Sequence, residues 1–108
     1  MRVDLGLGTV LVRGRSMEPV LRDGDCLLVR RGTRVRPGNV VLGRFHDRPG
    51  LLVVKRAVRP VPDGWLLASD NIAAAGAAAG PGDVEAVVLL RWWPLRRPGP
   101  AMRRWPPG

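Results

Sequence analysis

The sequence predicts an all-β fold: one small domain of short, mostly antiparallel strands, coiled into a sandwich or barrel. Three observations predict it. Short apolar runs rich in Val and Leu recur about every ten residues, the spacing of strands in small β-domains. Turn signals stand between them: Asp23-Gly24, Pro37-Gly38, Pro49-Gly50 and Asp63-Gly64. The chain of 108 residues has room for one hydrophobic core and not for two.

The elements follow in order. Residues 9–13 read as a strand, which Gly14-Arg15-Ser16-Met17-Glu18-Pro19 breaks. Pro19 biases Glu18 away from helical geometry, so Ser16 lies in a turn or loop. After Asp23-Gly24, residues 26–30 form a second apolar strand. Residues 39–45 follow the Arg36-Pro37-Gly38 turn, and His46 to Gly50 reads as a hairpin loop. Residues 51–58, dense in Val and Leu, form a strong strand. The stretch Pro60-Val61-Pro62-Asp63-Gly64 turns the chain into residues 65–68. Residues 72–80 are nearly all Ala and Gly; two glycines and the short length reduce them to a loop with one helical turn at most. Residues 84–93 make the last strand. The domain is therefore expected over residues 1–93, and residues 94–108 form a tail. That tail holds five of the eleven prolines and four arginines, too little apolar surface to pack, so it is expected to be disordered or loosely held.

Composition excludes several function classes. No apolar run approaches the roughly 20 residues of a membrane-spanning helix. The first fourteen residues lack the apolar core and small-residue cleavage site of a secretory leader, so the expected location is cytoplasmic. Cys26, alone and in an apolar run, reads as a buried structural thiol, and a single His with scattered carboxylates predicts neither a metal site nor a cofactor. His46 reads as a solvated loop residue, and Gly6-Leu7-Gly8 does not match a phosphate loop. The net charge of +9 raises the question of nucleic acid. The charge is spread along the chain, however, and aromatics are few, so nucleic acid is not the expected partner.

Seventeen of the eighteen basic residues are Arg; the exception is Lys55. Arg stays protonated at any accessible pH, whereas a buried Lys gives up its proton readily. On a strand, Leu51, Val53 and Lys55 share one face and Arg56 points to the other. If the first face is the core side, burial lowers the pKa of Lys55. A serine hydroxyl needs an adjacent base to act as a nucleophile, and a neutral Lys amine is one such base. Taken singly, a surface lysine and a turn serine are the ordinary readings of Lys55 and Ser16.

Four strings together change that balance. Gly14-Arg15-Ser16-Met17-Glu18-Pro19-Val20-Leu21 resembles the Ser-Met-x-Pro-Thr-Leu nucleophile box of the signal peptidase I superfamily. Pro37-Gly38-Asn39-Val40-Val41 resembles its Pro-Gly-Asp-Val-Val segment. Val53-Val54-Lys55-Arg56 resembles the box of the lysine base, and Ser69-Asp70-Asn71 the Gly-Asp-Asn of the last box. The boxes occur in the family's order and span residues 9–93. The length, the Arg richness and the Arg91-Trp92-Trp93-Pro94 string look most like the soluble actinobacterial proteases that mature nickel-type superoxide dismutase.

The resemblance implies a serine endopeptidase with Ser16 as nucleophile and Lys55 as general base, and no cofactor. Gly14, Arg15 and Met17 would shape the oxyanion site, with the Ser16 backbone N–H as donor. Pro19, Asp70 and Asn71 would be structural. The partner would be a precursor protein, such as that of nickel superoxide dismutase, bound as an extended strand beside residues 9–13 and losing an N-terminal propeptide. The sequence departs from the family after Asn71. Where relatives carry a Ser that bonds the lysine, then Asp and Arg, this chain has Ala75, Ala77 and Ala79. The hydroxyl that some relatives carry two positions before the nucleophile is replaced by Gly14. Two other readings follow. A catalytically impaired peptide-binding module would explain the alanines but not the retention of the only lysine. A self-cleaving repressor domain would need a DNA-binding helix-turn-helix, for which the fifteen residues before Ser16 leave no space.

Overall fold

The computed structural model describes residues 6–74 and 77–93. The expected tail at 94–108 and the position of Ala75 lie outside the described residues. Six strands are present: β1 (Leu7–Leu11), β2 (Cys26–Arg30), β3 (Val40–Phe45), β4 (Val53–Val61), β5 (Gly64–Ala68) and β6 (Ala79–Trp93). All pair antiparallel in one sheet of order β1-β2-β6-β3-β4-β5, and β5 returns to pair with β6. The fold is all-β, as the strand spacing predicts, and no helix among the described residues is long and apolar enough to cross a membrane.

The long strand β6 organises the sheet. Its start, Ala79 to Gly82, pairs with β5; Gly82 to Val87 pairs with β3; Val87 to Trp93 pairs with β2. Strands β3, β4, β5 and the first part of β6 thus close a ring, and β1 and β2 extend from the other end of β6. Closure brings backbones very close at two glycines. A Cβ on Gly82 would stand 2.4 Å from the Arg44 carbonyl oxygen, and one on Gly43 would stand 2.5 Å from that of Asp83.

Strand β3 is buried on both sides, because the closed ring lies against one face and the loop after β1 against the other. Val40 and Leu42 join Val12, Met17, Leu21, Leu27, Val29, Ala86 and Val88 in one core. Val41 and Phe45 join Ala57, Leu67 and Val87 in the second. Alternation along β3 and β6 therefore feeds two cores, which is why Val40-Val41-Leu42 and Ala86-Val87-Val88 are unbroken apolar runs.

The same turn feeds β2 and β3. In Arg22-Asp23-Gly24-Asp25 and Arg36-Pro37-Gly38-Asn39, the third residue is a glycine with φ near +90°. The fourth is a buried acid or amide whose side chain accepts the first residue's N–H at 2.8 Å. Only glycine adopts that φ without strain, and the side-chain bond satisfies an amide that the turn would otherwise leave unpaired.

Strand boundaries differ from the sequence expectation, most of all in β1, β4 and β6. β1 ends at Leu11, although Val12 still exchanges backbone bonds with the chain near Asp25. β4 runs on to Val61, leaving Pro62-Asp63 as the hairpin loop. β6 begins at Ala79, and before it the Ala74 N–H donates to the Asn71 carbonyl and the Ala77 N–H to the Ala74 carbonyl. Pro60, read as part of a turn, and Gly80-Pro81-Gly82, which precede the expected last strand, sit in strands where a side chain is unwelcome or a donor is not needed.

Candidate active site

Ser16 lies in a loop between β1 and β2 that is fastened at both ends. Val12 and Gly24 N–H donate to the Asp25 and Val12 carbonyls, and the Asp23 carboxylate accepts the Gly14 N–H at 2.7 Å. Gly14, at φ +87°, allows the chain to leave the sheet there; the space around it is open, so conformation rather than crowding selects glycine. Met17 is the loop's apolar anchor, buried in the first core beside Leu21, and its sulfur accepts the Asp70 N–H.

Lys55 reaches this loop from β4. It pairs with Val41 of β3 and shares the face of Val53 and Ala57, so the side chain starts on the closed-ring side. Only 5 % of the residue is exposed, and Nζ lies 2.7 Å from Ser16 Oγ. Burial pushes its pKa below the ordinary lysine value, and the nearby Arg48 guanidinium pushes it further the same way. The amine is thus held within hydrogen-bond reach of the hydroxyl and biased toward the form that accepts a proton.

The residue after Lys55 secures the other side. Arg56 Nε and a terminal nitrogen bond both oxygens of Asp70, at 3.2 and 2.6 Å, and its second terminal nitrogen donates to the Gly38 carbonyl. Asn71 then donates twice to the nucleophile loop: its backbone N–H to the Ser16 carbonyl at 2.7 Å, and its side-chain amide to the Arg15 carbonyl at 3.0 Å. Ser69 Oγ accepts the Ala78 N–H, closing the base of the intervening loop.

The structure brings together most residues singled out in the sequence. Ser16, Lys55, Gly14, Met17, Asp70 and Asn71 form one connected cluster. Arg15 contributes its carbonyl, while its guanidinium points outward to Glu18 at 3.2 Å. Pro19 is exposed. Ala77 and Ala79 lie in the return to β6 and offer no side-chain donor. The sequence does not single out Arg48: it stands in the loop before β4, outside both motifs, and only the fold brings its charge toward Lys55. The roles of Asp23 and Asn71 as clamps also depended on contacts between distant segments.

A cleft of about 440 Å³ opens at the dyad. One wall is the end of β1 and the chain to Met17; the other is Leu51 to Lys55. Among the described residues the outer edge of β1 is unpaired, and β4 pairs with β5 only from Arg56 onward. Two open strand edges therefore face the cleft. Among the described residues, no group of three His, Cys, Asp or Glu side chains is arranged to hold a metal ion.

No curated protein matches the chain in sequence. A family model does, over residues 5–86, a span that includes Ser16, Lys55, Arg56, Asp70 and Asn71. The chain belongs to the Peptidase S24-like family.

Proposed function

We propose that the protein is a serine endopeptidase in which Ser16 is the nucleophile and Lys55 the general base, and that it removes an N-terminal propeptide from a precursor protein. One observation carries this reading: a nearly buried lysine amine, its pKa lowered, 2.7 Å from a loop serine hydroxyl. Neutral Lys55 takes the hydroxyl proton as Oγ attacks the scissile carbonyl carbon. The ammonium then returns that proton to the departing amine, leaving an acyl-enzyme at Ser16. Lys55 next takes a proton from water, which attacks the ester carbonyl, and Ser16 recovers its proton as the acid product leaves. The Ser16 N–H, which no acceptor takes among the described residues, is the oxyanion donor of this scheme. The substrate lies in the cleft as an extended strand between the two open edges.

Nickel superoxide dismutase precursor is the substrate suggested by the Arg91-Trp92-Trp93-Pro94 string and the short, Arg-rich chain. The test is incubation with that precursor and intact-mass readout, beside Ser16→Ala and Lys55→Ala. A single cut that both variants lose supports the reading. A cut that survives Ser16→Ala overturns it. A second reading, a peptide-binding module without cleavage, is favoured by Ala77 and Ala79, which supply no hydroxyl or charge to the dyad. It gains if the precursor binds uncut.

A further inference from the structure

The cleft has a charge pattern of its own. Among the described residues its walls include Arg13, Arg15 and Lys55 and not one carboxylate. Arg15 has its charge answered by Glu18. Arg13 is exposed and has no ion-pair partner among the described residues. Val12 is buried while Leu11 and Arg13 on either side are exposed, so an extended chain at this edge turns Leu11 and Arg13 outward together. Across the cleft, Leu51 and Leu52 are about half exposed, at 51 % and 40 %. An incoming strand thus meets apolar side chains along its length and an unanswered guanidinium at one end.

We infer that the cleft selects extended segments in which apolar residues are followed or preceded by an acidic side chain at the Arg13 end. The inference rests on the extended-strand reading of the cleft and names the substrate chemistry for it. Burial of Leu11, Leu51 and Leu52 against apolar side chains supplies most of the affinity. The acidic residue sets register and orientation, because only one placement along the groove brings it to Arg13. The net charge of +9 acts in the same direction at longer range, drawing acidic segments toward the protein at low ionic strength.

The test separates binding from cleavage. Full-length Ser16→Ala protein is titrated with short end-blocked peptides that share one apolar frame and carry Glu, Gln or Lys at each position in turn. At one position, Glu is expected to bind about 2- to 5-fold tighter than Gln, the range of a solvent-exposed ion pair, and Lys weaker than Gln. In Arg13→Glu, built on the same Ser16→Ala background, that order inverts. Arg59→Glu makes the same charge change at an exposed position outside the cleft and leaves the order intact. The inference is overturned if no position prefers Glu, if no peptide binds, or if Arg59→Glu inverts the order as Arg13→Glu does. Acid-dependent binding by Ser16→Ala with no cleavage by the unmodified protein would uphold the inference and sink the peptidase reading instead.

Discussion

The Asn71 backbone N–H donates to the Ser16 carbonyl oxygen at 2.7 Å, and the Asn71 side chain donates to the preceding carbonyl, that of Arg15, at 3.0 Å. Two consecutive peptide units around the nucleophile are therefore held from one residue of the loop after β5. That loop is itself held to the strand of the base through Arg56 and Asp70. The nucleophile and the base come from separate segments, and this chain of bonds sets the distance between them.

Asn71→Ala removes the side-chain bond and keeps the backbone one. Losing one such bond costs about 1 kcal/mol, so kcat for Ser16-dependent cleavage is expected to fall about 5- to 10-fold with KM little changed. Asn71→Asp keeps the size but replaces the donor with a carboxylate facing a carbonyl, and is expected to be worse than Ala. Steady-state kinetics on both variants check this; a loss in Asn71→Ala with none in Asn71→Asp would show that size, not the bond, matters.

Arg56 and Asp70 are only 20 % and 18 % exposed in their side chains. Arg56→Lys keeps the charge but cannot reproduce the two-pronged contact or the bond to the Gly38 carbonyl. The expected loss is about 1–3 kcal/mol of stability, read by urea unfolding. Pairing it with Asp70→Asn should give a combined loss clearly smaller than the sum. Strict additivity would mean the pair does not act as a unit.

The cluster around Ser16 was largely legible in the sequence because its members sit in compact motifs. Lys55 stood out as the one lysine among arginines, and the alternation of β4 put it on the inner face. The parts not legible depend on closure. Gly80-Pro81-Gly82 falls outside the strand expected over 84–93, since nothing local reports that Gly82 will lie between Phe45 and Trp65 with the Arg44 carbonyl close against it. A glycine kept for close approach and one kept for a turn look the same until both neighbouring strands are in place. Arg48 is not legible for a similar reason: its effect on Lys55 acts through space, from the loop before β4 to a strand residue.

Gly82 gives that point a direct test. Adding a Cβ there would meet the Arg44 carbonyl oxygen at 2.4 Å and the Leu67 side chain at 2.8 Å. The first is backbone in a paired strand and cannot yield without opening the ring. Gly82→Ala is expected to cost about 3 kcal/mol or more, at the upper end of overpacking effects. Gly50→Ala, in open space, should change stability little. Thermal unfolding of both variants checks the contrast.

Lys55 is expected to be a stability cost. Its pKa is lowered in the folded state, so the unfolded chain binds more protons between that lowered value and the ordinary lysine value of 10.5. Stability attributable to this group therefore rises with pH across that window. Lys55→Met keeps the length and removes the ionisable group, and should raise stability by about 1–2 kcal/mol at neutral pH. Unfolding measured across pH should show the advantage of Met shrinking toward pH 10.5. An advantage independent of pH would place the gain in packing rather than in the amine.

The same proton governs activity with the opposite consequence for function. Only the neutral amine accepts the Ser16 proton, so kcat/KM should climb as pH rises through the lowered pKa of Lys55 and level off above it. Burial is the larger cause of that lowering and the positive charge of Arg48 the smaller. Arg48→Gln removes the smaller cause, so the rising limb should move to higher pH, with the plateau rate retained. Arg48→Lys keeps a positive charge and should leave the limb near its original place. A pH–rate profile for the three proteins separates the outcomes. If Gln and Lys shift the limb equally, Arg48 acts through its shape in the loop; if neither moves it, burial alone sets the base.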